Sequence, residues 1–220
     1  TGIAAVKASG SDYHSDMVFV TRGSSVGASE KMRILYDGKV GIGTASPASY
    51  HSSAQNLVIY STGNTGITLN SGTSSQGSLY FADGTSSSQR YRGYVEYSHN
   101  NDSIYFGTAG STRFTIDSSG NAVATGNVTA YSDARLKENI TTIDSALDKV
   151  NKMRGVTYDR IDEDHHGAGV LAQELEEIAP ELVQDGEYKS VAYGNLTAYL
   201  VEAIKELNKK VDSLQQQLED

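Results

Sequence analysis

The sequence predicts a mixed fold: a β-rich segment over residues 1–131, then a small α+β domain over 132–220 that ends in a long helix over 196–218. Three observations carry this expectation. Of the 22 glycines, 17 precede Ser132, whereas 29 of the 45 charged residues lie from Ser132 onward, so the two parts are built on different rules. Apolar residues between Met17 and Val128 alternate with period two, the strand signature, and those from Leu200 to Leu218 recur at helical spacing.

Strands are expected where short apolar runs are bounded by Gly, Ser, Asn and Asp: Met17 to Val20, Arg33 to Tyr36, Val40 and Ile42, Leu57 to Tyr60, Ile67 and Leu69, Val95 and Tyr97, and Phe114 and Ile116. Asp37-Gly38, Asp83-Gly84 and Ser119-Gly120 supply residue types that tolerate positive φ, and mark hairpins or corners. The stretch Arg33-Ile34-Leu35-Tyr36-Asp37-Gly38-Lys39-Val40 is echoed by Arg113-Phe114-Thr115-Ile116-Asp117, followed by Ser118-Ser119-Gly120-Asn121, a weak internal repeat. Ser, Thr, Gly and Tyr dominate while large aliphatics are sparse. A single copy would therefore bury little apolar surface against its chain entropy, which further copies of the chain would remedy. A monomeric β-sandwich is the plainer reading.

The net charge of -9, without clustered Lys and Arg, excludes a broad nucleic-acid surface. No apolar run reaches the roughly 20 residues that span a bilayer, no secretion signal opens the sequence, and Thr1 suggests a piece of something longer. With no cysteine there is neither a disulfide framework nor a thiol nucleophile. The 14 tyrosines offer rings that can stack on sugars, although structural roles account for most of them; no paired carboxylates mark a glycosidase.

At Ser132 the chain turns abruptly to Ser132-Asp133-Ala134-Arg135-Leu136-Lys137-Glu138-Asn139-Ile140. Downstream follow Gly167-Ala168-Gly169-Val170-Leu171-Ala172-Gln173-Glu174-Leu175, Pro180-Glu181-Leu182-Val183 and Lys189-Ser190-Val191-Ala192-Tyr193. In this order the blocks resemble the C-terminal intramolecular chaperone of phage endosialidases, tail fibres and tailspikes, a serine autopeptidase family. The resemblance runs from Ser132 to about Leu214. Gly41-Ile42-Gly43-Thr44-Ala45-Ser46-Pro47 likewise resembles a segment common in phage tail-fibre proteins, and also reads simply as a glycine-rich turn.

The resemblance implies a trimeric fibre segment before residue 132, a chaperone domain after it, and cleavage of the bond between Tyr131 and Ser132. A serine hydroxyl needs a base, and a lysine deprotonated by burial can serve, so Ser132 is the candidate nucleophile and Lys137 the candidate base. On a regular α-helix the two would stand roughly 140° apart around the axis. Either Ser132 precedes the helix in a bent segment, or the lysine comes from a neighbouring chain. A plainer role for Ser132 is a helix N-cap, and for Lys137 a solvated charge. Gln173 and Glu174 read as a polar helix start. His165 and His166 among Asp159, Asp162, Glu163 and Asp164 have the chemistry of a metal cluster, but a solvated turn is the preferred reading, and no metal or cofactor is expected.

Leu200, Ile204, Leu207, Val211, Leu214 and Leu218 are spaced 4, 3, 4, 3, 4, the seam of a coiled coil. An amphipathic helix packed on its own domain remains open. Ile and Val at one seam position with Leu at the other favour two strands, so a homotrimer is what the resemblance implies, not what the seam requires. The expected protein is thus a virion tail fibre or tailspike, assembled in the host cytoplasm, whose chaperone part is released. A host polysaccharide or receptor is expected as partner of the β segment at the level of fold alone. The alternative is a fibre tip that never cuts. A membrane-released transcription factor, another branch of the family, would need a basic surface and a spanning segment that this sequence lacks.

Overall fold

The computed structural model describes residues 2–7, 14–23, 27–162 and 165–219, with side chains from 4–7 left aside. The described chain forms two compact units, Thr1–Gly110 and Ser111–Asp220.

In the first unit, β1 (Gly2–Lys7), β2 (Ser15–Arg22), β3 (Ala28–Ile34) and β4 (Val40–Ile42) pair antiparallel in chain order, and β5 (Leu57–Ile59) joins β4 in parallel. The β3–β4 turn falls on Asp37-Gly38, with Gly38 at φ +87° and Asp37 Oδ1 accepting from Lys39 N at 3.3 Å. The buried carboxylate of Asp16 accepts from Arg33 Nη1 at 2.8 Å and Tyr36 N at 3.0 Å, so the charge that β2 turns inward is fully partnered. Glu30 first, then Asp16, hold the Arg33 guanidinium well above its ordinary pKa.

The second antiparallel set is β6 (Gln76–Phe81), β7 (Gly93–Ser98) and β8 (Ser103–Thr108). Two details depart from the sequence reading. Ile67 and Leu69 form no strand and stand 70% and 55% exposed, and among the described residues no strand pairs with them. Asp83-Gly84 is not a tight turn: Asp83 N reaches Gln89 O at 3.0 Å across a longer connection containing the 3₁₀ turn Ser87–Tyr91. Few apolar side chains in this unit are buried; Val18, Val58 and Pro47 are, whereas Leu79, Tyr80 and Phe81 are all half-exposed or more.

The second unit opens with a hairpin of β9 (Ser111–Ile116) and β10 (Ala122–Ala124). Its turn shares with that of β3–β4 a glycine at positive φ, Gly120 at +80°, while Asp117, three residues before it, accepts at Oδ1 from Ser119 N and Asn121 N. The two turns close with the same backbone bonds, but these set Asp117 opposite Leu35 and not Asp37, so the repeat seen in the sequence is two residues out of step with the structural equivalence. After residues 125–145, which include one 3₁₀ turn, come α1 (Ala146–Lys152), the hairpin β11 (Gly155–Asp159) and β12 (His166–Val170), α2 (Ala172–Glu176), the short pair β13 (Val183–Gln184) and β14 (Ser190–Val191), and α3 (Leu196–Glu219). Their core is Leu175, Ala179, Leu182 and Tyr199, with Ile143, Val150, Met153, Val170 and Leu196 packed against it. No helix among the described residues is long and apolar enough to cross a membrane.

Candidate functional site

Two features of the second unit carry chemistry: the turn at Ser132 and the free face of α3. In the turn, Asp133 is extended (φ -66°, ψ 132°), Ala134–Leu136 make one 3₁₀ turn, and Lys137 is extended again (φ -128°, ψ 145°). The chain thereby folds back on itself, and Lys137 Nζ donates to Ser132 Oγ at 2.6 Å. Within one chain, a bent segment suffices to bring the two side chains together. The cap falls to Asp133, whose Oδ1 accepts from Arg135 N at 2.9 Å, so the Ser132 hydroxyl is left for the lysine.

The Arg135 guanidinium closes on both oxygens of Asp133, at 3.0 Å (Nε to Oδ1) and 2.6 Å (Nη2 to Oδ2), and holds that carboxyl below the usual carboxylate range. Every residue from 131 to 140 is exposed, Tyr131 at 96%. Burial of the lysine, which the base role calls for, is not provided within one chain.

Helix α3 uses two faces. Tyr199 and Ala203 are buried against its own domain, and Glu206 on the same side reaches α1, where its carboxylate accepts from Ala146 N and Leu147 N, both at 2.9 Å. Those donors hold Glu206 below its ordinary pKa. Ser145, the residue before α1, lies at φ +51° and makes no side-chain cap, so a carboxylate from α3 does that work. Burial, and next the hydrogen bond it donates to Glu181, push the Tyr199 hydroxyl up to about 12.

Roughly a quarter turn around the axis from this packed face lie Leu200, Ile204, Leu207, Val211, Leu214 and Leu218. Each is at least 41% exposed, and Leu218 reaches 87%. Packing on its own domain and an open apolar seam are thus not alternatives; the helix has one face for each.

The remaining sequence blocks have structural work. Gly169 lies so close to Tyr193 that a Cβ would sit 2.3 Å from its hydroxyl, which also accepts from Val170 N at 3.3 Å. Two separate blocks of the sequence therefore meet at one ring. Glu174, at the start of α2, is paired with Arg154 and held below its ordinary pKa by it. Across the β11–β12 hairpin, His166 Nδ1 lies 2.6 Å from Asp159 Oδ1. Among the described residues no group of three His, Asp or Glu is placed to hold a metal; Glu163 and Asp164 lie outside them. Sequence reasoning missed the Asp133 cap, legible as Asp two residues before Arg135, and the Glu206 clamp, for which no local signal exists.

A strand-poor, helix-ended α+β domain with a Ser–Lys turn at its entrance is the class these features define. Residues 132–184 match the family described as chaperone of endosialidase. The long tail fibre protein Gp37 of Enterobacteria phage K3 is 38% identical over 105 residues, covering 42% of this chain and 8% of that protein. Gp37 of Enterobacteria phage T2 matches with the same figures, and Gp37 of Salmonella phage S16 is 30% identical over 114 residues, covering 46% of this chain and 15% of its own length. The chain thus spans a small part of the relatives it matches. A solved structure of the carboxy-terminal domain of the bacteriophage T5 L-shaped tail fibre, with its intra-molecular chaperone domain, aligns over 97% of this chain and 85% of that one, at 11% identity and a TM-score of 0.28, too low to establish a common fold.

Proposed function

We propose that this chain is the C-terminal part of a phage tail fibre or tailspike, and that residues 132–220 act as an intramolecular chaperone. The domain would bring three copies into register and then free itself by cutting its own chain between Tyr131 and Ser132. The observation that carries the reading is the 2.6 Å approach of Lys137 Nζ to Ser132 Oγ at the first residue of the matched family domain.

As a neutral amine, Lys137 takes the Oγ proton while Oγ attacks the Tyr131 carbonyl carbon. The tetrahedral adduct collapses with loss of the C–N bond, the Ser132 nitrogen takes the proton back from the ammonium, and an ester joins Tyr131 to the Ser132 oxygen. Water then hydrolyses that ester, leaving a carboxylate on Tyr131 and restoring the serine hydroxyl. Because nucleophile and carbonyl belong to neighbouring residues, the attack is intramolecular, with effective molarities of about 10⁵ to 10⁸ M for well-aligned groups.

The exposure of the turn in a single chain suits a reaction that waits for assembly. Neighbouring copies would bury the lysine, favour its neutral form and switch the base on. Meeting along the α3 seam would supply those neighbours, and the thinly buried strands of the first unit would gain partners at the same time. Cleavage then removes the registering domain, leaving interlocked strands that unfold slowly.

A denaturing gel with intact-mass analysis of the assembled full chain tests the reading. Fragments ending at Tyr131 and beginning at Ser132 are expected, and Ser132→Ala and Lys137→Ala should leave the chain whole. An unmodified chain that assembles and stays intact refutes self-cleavage and leaves the non-cutting fibre tip.

A further inference from the structure

Ser132 and Lys137 are separated by four residues, and little in the fold compels them to meet. Fully extended, five residue steps span roughly 17 Å; wound as an α-helix, they set the two side chains on different faces. What brings them together is one 3₁₀ turn, an element too short to persist by itself. Its backbone contributes only two bonds, Leu136 N to Asp133 O and Lys137 N to Ala134 O, both at 3.1 Å. The turn buries no residue, so packing within the chain does not impose its shape.

We infer that Asp133 is the positioning residue of the proposed Ser132–Lys137 dyad, acting through its cap on Arg135 N and its clasp on the Arg135 guanidinium. The inference rests on the self-cleavage reading above and deepens it. Asp133 does not touch the reacting atoms. Its Oδ1 satisfies Arg135 N, the second backbone donor of the turn, and this fixes where the chain reverses between nucleophile and base. The guanidinium then holds the carboxylate in the rotamer that caps. These two contacts are separable: an asparagine keeps a capping oxygen and loses the ion pair, while alanine at 135 keeps the cap and loses the clasp.

The test is the rate of cleavage of the assembled full chain, followed by timed denaturing gels, with assembly followed in parallel by light scattering. Loss of an N-cap shifts a turn equilibrium roughly 2- to 30-fold, so Asp133→Ala should slow cleavage by about that factor without changing assembly. Asp133→Asn and Asp133→Ser, which both retain a capping oxygen, should recover most of the rate. Arg135→Ala, which removes an exposed ion pair, should slow it by no more than a few-fold. Asp133→Ala cutting at the unmodified rate overturns the inference and leaves self-cleavage standing. So does Asp133→Asn cutting as slowly as Asp133→Ala, or an Asp133→Ala chain that no longer assembles, since the residue would then serve the fold. An unmodified chain that assembles and is never cut overturns both.

Discussion

Replacing Leu207 by aspartate probes the α3 seam where it is flanked on both sides by other seam residues. Leu207 is 47% exposed in the single chain, so about half of its side chain remains to be buried by a partner. Complete burial of a leucine is worth about 1.5–3 kcal/mol, which leaves about 0.7–1.5 kcal/mol per copy and about 2–4.5 kcal/mol in a trimer that brings three copies into one layer. At about 1.4 kcal/mol per decade, lost burial alone lowers the trimer association constant by roughly 30- to 2000-fold. Since that constant carries the square of concentration, the midpoint of assembly should move up roughly 5- to 45-fold, and the buried carboxylate adds to this. Sedimentation equilibrium across a dilution series measures the midpoint, with far-ultraviolet dichroism to verify that the helix survives. Lys209→Ala, on the opposite side of the helix from the seam, is the matched control and should leave the midpoint in place. If Leu207→Asp assembles at the same concentration as the unmodified chain, the seam is not the interface. A midpoint that moves equally for both variants refutes the assignment of faces.

Leu175→Ala removes a core side chain that is 2% exposed and should destabilise the second unit by about 2–5 kcal/mol in denaturant unfolding. Glu206→Gln should make unfolding less sensitive to acid. The carboxylate's folded pKa is depressed, so its contribution is complete above the ordinary glutamate range and is lost as pH falls through that range and below, a loss visible in thermal melts of the unmodified chain. Gly43→Ala should be more damaging than Gly38→Ala. Both sit at positive φ, but a Cβ on Gly43 would lie 2.1 Å from the Tyr60 carbonyl oxygen, whereas one on Gly38 meets nothing within 4 Å. Melting the two variants side by side separates backbone strain from collision.

Local chemistry was legible in the sequence wherever a short stretch decides its own structure. The Asp37-Gly38 and Ser119-Gly120 turns, the alternating strands around Val18 and Val95, and the helix from Leu196 all follow from residue type and period. The Ser132 and Lys137 candidates came from the order of the blocks, which spacing alone could not supply. Ile67 and Leu69 misled because alternation reports a surface that wants a partner strand, and none of the described strands pairs there.

Tertiary structure decided what depends on residues far apart in the chain. Leu200 to Leu218 announce an apolar stripe by themselves, but only the packing of Tyr199, Ala203 and Glu206 on the rest of the domain shows that this stripe is left free. Likewise, five residues of sequence place a serine and a lysine near each other without saying whether they touch. Their 2.6 Å approach depends on a dihedral path through one capped turn, and periodicity, which reads faces of regular elements, is blind to such a path.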